Sequence, residues 1–144
     1  MIKLQNKELK DVAEFLKKLS LNGKKSVHRM RVVKVLEEQN KKLGEEELEL
    51  LKEYVETDEK GEFVHESGNL KFKGDVKEFK KQQEDLYNEY FVLDDTNLES
   101  ALKTLKEVVN DYNKELSEKD AEAHFTLVEA FENEANKEKD RNSM

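Results

Sequence analysis

The chain has no cysteine, no proline and no tryptophan among its 144 residues, and only five glycines. Without cysteine there is no disulfide framework, no thiolate metal site and no thiol nucleophile, which fits an intracellular protein. No unbroken apolar run approaches the roughly 20 residues of a spanning helix, and nothing resembles a signal peptide, so the chain reads as soluble.

Charge is abundant instead. Charged residues make up 42% and hydrophobic residues 35%, so a core must come from narrow apolar stripes on otherwise solvated helices. The length corresponds to one domain. The charge is unevenly placed: through Leu36, ten Lys and Arg face three acids, a net +7, while the remainder carries −15 of the total −8. Such polarity predicts either a dipolar molecule with one basic end or a fold that neutralises the two halves against each other.

The longest helical pattern runs from Lys24 to Val55, with a seven-residue recurrence at Leu36, Leu43 and Leu50 and Met30, Val33, Leu51 and Tyr54 beside it. The other segments are expected to pack against it, with a bend or break at Gly44. Before it, Ile2 and Leu4 alternate as a short strand. Asn6 then caps a helix with the stripe Leu9, Val12, Ala13, Leu16 and Leu19, ending at Asn22-Gly23. After it, Glu62–His65 and Leu70–Lys73 flank a Gly68 turn as a hairpin. Gly74-Asp75 opens a third helix that ends in Tyr90–Leu93, whose strand character suits pairing with Ile2–Leu4. Thr96 and Ser117 begin capping patterns for two more helices, the last with the stripe Ala121, Phe125, Val128 and Phe131. The fold class expected is mainly α: about five helices in a single bundle-like domain over residues 1–132, a hairpin near 62–73, an N-terminal strand pairing, and a polar, frayed tail over 133–144.

The candidate partner-binding residues are Lys24, Lys25, His28, Arg29, Arg31 and Lys34, a basic run with no acid. Helical spacing puts Lys24, His28 and Arg31 on one face, with Lys25 and Arg29 on the next. Such cations suit phosphates or an acidic protein surface, and the acidic remainder disfavours nucleic acid. Phe63 and Phe72 of the hairpin are the secondary partner-binding candidates. His28, His65 and His124 lie in separate segments with no metal-ligand spacing, and His124 borders the apolar face of the last helix. No phosphate-cradling glycine motif, calcium loop or nucleophile arrangement appears, so no catalytic residue, metal or cofactor is expected.

Residues Leu19, Leu21, Gly23, Lys24, Ser26 and Arg29 follow an L-x-L-x-G-K-x-S-x-x-R pattern, accompanied by Glu53-Tyr54, the Asp58-Glu59-Lys60-Gly61 turn, the Gly68 turn and the run Glu89–Leu93. In these the chain resembles a family of small proteins of siphophages and prophages of Gram-positive bacteria, which carries no assigned activity. The resemblance implies a phage origin, an accessory role and the cytoplasm of an infected host; it implies no reaction. The expectation is a non-enzymatic interaction protein that binds a host protein, such as a defence or replication factor, or assists virion assembly. The alternative is a nucleic-acid-associated regulator using residues 24–34. Homo-oligomer formation stays open.

Overall fold

A computed structural model describes residues 1–142. The chain is mainly helical, in the order β1 (Ile2–Gln5), α1 (Leu9–Lys18), α2 (Lys24–Tyr54), β2 (His65–Glu66), β3 (Asn69–Leu70), α3 (Val76–Asn88), β4 (Tyr90–Leu93), α4 (Asp95–Asp111) and α5 (Glu118–Asn142). Length alone suggested one domain; by their contacts the residues group into two compact units. One comprises residues 1–40 with those from 90 on, the other residues 41–89, so α2 contributes to both. No helix among the described residues is long and apolar enough to cross a membrane.

In the first unit, β1 and β4 pair antiparallel with Ile2 opposite Leu93 and Leu4 opposite Phe91, the partnership expected from their alternation. Because successive side chains of a strand point to opposite faces, Ile2, Leu4 and Leu93 are buried while Lys3, Tyr90 and Val92 stay outside. A single 3-10 turn over Asn6–Glu8 leads into α1, whose buried Leu9, Val12, Ala13, Phe15 and Leu16 recur at helical spacing. Val32, Val33 and Leu36 of α2, Leu98, Ala101, Leu102, Leu105 and Val109 of α4, and Ala123, Leu127, Ala130 and Phe131 of α5 complete this core.

Three expectations change here. The element packed against α1, β1 and α4 alike is α5 rather than α2. Its buried stripe is Ala123, Leu127, Ala130 and Phe131, which leaves Ala121 and Phe125 exposed, because two apolar sets overlap on this helix and only one can face the core. Residues 133–142, expected as a frayed tail, continue α5: they are rich in the helix formers Ala, Glu and Lys, and Glu134 accepts from the Met1 ammonium at 3.1 Å. Ser143 and Met144 lie outside the described residues. At the other end of α5, Lys119 reaches Glu14 at 2.8 Å and Asp11 at 3.4 Å on α1. The hydrogen bond to Lys119 holds the Glu14 carboxyl below its usual range, and the bond to Glu14 raises Lys119 in turn. Exposed pairs of this kind orient more than they stabilise. The start of α4 is also moved: Asp94, accepting from the Thr96 N–H at 2.9 Å, is the cap rather than Thr96.

The second unit is built on rings. Phe79 of α3 is buried with Tyr54 at 5.8 Å and Phe72 at 5.6 Å between ring centroids. The hairpin is shorter than expected, His65–Glu66 against Asn69–Leu70. Its turn residues Ser67 and Gly68 both have positive φ, 54° and 83°, the left-handed geometry that two-residue turns use to match strand twist. Isolated bridges from Val55 to Phe72 and from Thr57 to Phe63 extend it. The Tyr87 hydroxyl donates to Glu47 within the same unit.

Two predictions follow from this unit. Gly44 lies inside α2, and an added Cβ would meet nothing within 4 Å. Gly44→Ala should raise the unfolding free energy by about 0.5–1 kcal/mol in urea titration. The hydrogen bond to Glu47 chiefly, then burial, pushes Tyr87 from 10.0 up to about 12. A raised tyrosine stabilises the fold fully below its unfolded value and loses that contribution as pH climbs through the folded one. Wild type should therefore exceed Tyr87→Phe by about 1 kcal/mol at neutral pH. The gap should hold up to about pH 10 and close between there and about 12, as read by thermal midpoints of both proteins across that range.

Candidate protein-docking surfaces

The α1–α2 junction determines where each cation of the basic run points. Gly23, at φ +58°, takes the left-handed turn that starts α2, and its carbonyl accepts from the Val27 N–H at 3.2 Å. The last carbonyls of any helix lack intrahelical donors and mark the negative end of its dipole. At the end of α1 those carbonyls are collected by Arg29. Its Nη1 donates to Leu16 O at 2.9 Å, Leu19 O at 2.8 Å and Lys17 O at 3.4 Å, and Nη2 donates to Ser26 Oγ at 2.9 Å. Arg29 is only 8% exposed. The expectation that it meets a partner is thus corrected: it is an internal cap for α1.

His28 is half-buried and shares a 2.7 Å hydrogen bond with Thr104 of α4, so it too is engaged inside the unit. Lys25 is exposed but turns to the other flank of α2, where it lines a hollow of about 250 Å³ with Leu21, Tyr112 and the acidic Glu107 and Asp111. Lys24, Arg31 and Lys34 remain on the outer face. Spacings of three and four place Val27 in their midst, and Val27 is 52% exposed. Among the described residues, none of these three cations has a carboxylate partner, whereas Lys17, Lys18, Lys52, Lys71 and Lys119 each have one.

Phe63 and Phe72, the secondary candidates, are half-buried, and Phe72 packs on Phe79. Phe72 thereby supplies the apolar base that a hairpin this short needs, and Phe63 bridges to Thr57. His124 donates from Nε2 to Val109 O at 2.8 Å and meets the Phe15 and Tyr112 rings, the part-buried core position expected of it.

The exposed aromatic surface lies elsewhere and was missed by the stripe reading. Tyr90 of β4 is 57% exposed and Phe125 of α5 is 64% exposed. Together with Val92 they border a groove of about 440 Å³ running between β1 and α5. Alternation along β4 was the signal for Tyr90 and Val92; for Phe125 the helix register had to be known. Comparisons of the chain with protein-family models, with curated proteins and with solved structures find no match.

Proposed function

We propose that this chain is a non-enzymatic interaction protein of phage origin that acts in the cytoplasm of its bacterial host, and that the outer face of the first part of α2 meets an acidic surface of a partner protein. The observation that carries this reading is the unspent charge of Lys24, Arg31 and Lys34 around exposed Val27. A face with cations of one sign and an apolar centre has the anatomy of a docking patch: the charges steer encounter and reject wrong partners, and the apolar residue is desolvated on contact. The net charge of −8 argues for a protein rather than a polyanion as partner. The resemblance to phage proteins supports a host factor or virion component as that partner.

Reversing Lys24, Arg31 and Lys34 to Glu should leave the circular dichroism spectrum and melting midpoint nearly unchanged, since exposed unpaired cations contribute little to stability. The same variant should associate with the protein captured by wild type from host lysate about tenfold more slowly at low salt, with the difference shrinking as salt rises. An unchanged rate would place the interface elsewhere. Salt-sensitive retention of wild type on duplex DNA, lost in the variant and with no protein captured, would favour the nucleic-acid regulator.

A further inference from the structure

We propose that the groove between β1 and α5 takes an extended peptide of a partner protein, which adds as a third strand along the open edge of β1. This site is separate from the basic face of α2 and does not depend on it.

The sheet has two strands, and only β4 pairs with β1 among the described residues. The Gln5 N–H donates to Glu8 Oε1 at 2.9 Å, away from β4. Residues of an antiparallel strand alternate between facing the partner strand and turning from it. Lys3, two residues before Gln5, therefore turns its own N–H and C=O to the same outer side. That side is the groove: Glu8 lines it, as do Thr126, Ala130 and Lys137 of α5. Two pairs among its lining residues are Thr126 donating to Glu8 at 3.1 Å and the Met1 ammonium on Glu134 at 3.1 Å.

The unpaired edge decides what fits. Four residues of β1 run about 13 Å. A helix of that length satisfies its own backbone groups and has none to offer the edge. A strand offers both donors and acceptors along it and continues the spacing of the sheet. Backbone pairing with Lys3 would supply affinity, and alternate side chains specificity, as in other strand additions. The peptide's inward row would meet Ala130 and the exposed Phe125 ring. Its outward row would lie beside Lys3, whose Nζ sits 4.6 Å over the Tyr90 ring. Of the three groove carboxylates Glu134 is paired with the Met1 ammonium, while Glu8 accepts only from uncharged donors, so Lys3 and Lys137 are balanced by Glu8 and Glu129. The occupant is thus an extended peptide with apolar residues at alternate positions.

The test is selection of a displayed random decapeptide library on the immobilised full chain, followed by fluorescence anisotropy with the enriched peptides. They should show apolar residues at alternate positions, bind Phe125→Glu at least tenfold more weakly, and lose at least tenfold in affinity when alternate amides are N-methylated. Phe125 is too exposed to carry the fold, and circular dichroism confirms the variant; Val92→Glu on the opposite rim provides a second one. Absence of enrichment, equal binding to both variants, or tolerance of N-methylation in both alternating sets would each overturn the proposal. So would a dimer in sedimentation that Phe125→Glu disperses, which would make a second copy of this chain the occupant.

Discussion

A guanidinium enclosed at the end of α1 is the constraint on which the first unit depends. Among the described residues Arg29 has no carboxylate partner; it is held by three carbonyls and a hydroxyl. Burying a charge is costly unless its hydrogen bonds are made; the carbonyls at the negative end of α1 accept from Nη1 and Ser26 of α2 accepts from Nη2, which leaves Nε without a partner among the described residues. The interaction works in both directions: the cation bonds the Lys17 and Leu19 carbonyls and shares that of Leu16 with the Leu19 N–H, and the helix end accommodates a cation that an apolar core could not. Once α1 and α2 are joined in this way, Val32, Val33 and Leu36 face the core, and Lys24, Val27, Arg31 and Lys34 face outward.

The same junction reinterprets the motif in the sequence. Leu19, Gly23, Ser26 and Arg29, four positions of the L-x-L-x-G-K-x-S-x-x-R pattern, build the turn: a carbonyl, a left-handed glycine, a hydroxyl and the guanidinium that links them. At these four positions the pattern therefore specifies architecture. A basic run is better divided by what each cation finds within the unit than counted as a whole.

Much of the fold was legible because it follows from periodicity. Alternation at Ile2 and Leu4 and at Tyr90–Leu93 announced the β1–β4 pair, and Gly68 announced the hairpin. What escaped was decided by neighbours distant in sequence. Ser26-x-x-Arg29 is compatible with an exposed helix face until the end of α1 is placed against it. Phe125 belongs to an apolar set as credible as that of Leu127, and only the fit against α1, β1 and α4 selects between them. The groove was likewise invisible, since it arises where a strand edge from the start of the chain meets a helix from its end.

The central claim is that two arginines two residues apart on α2, Arg29 and Arg31, have opposite fates, and urea unfolding of two single variants measures it directly. Replacing Arg29 by Met frees the α1 carbonyls and should cost at least about 2 kcal/mol, whereas Arg31→Met should stay within about 0.5 kcal/mol of wild type. Equal and small losses for both would contradict the account and return Arg29 to the surface.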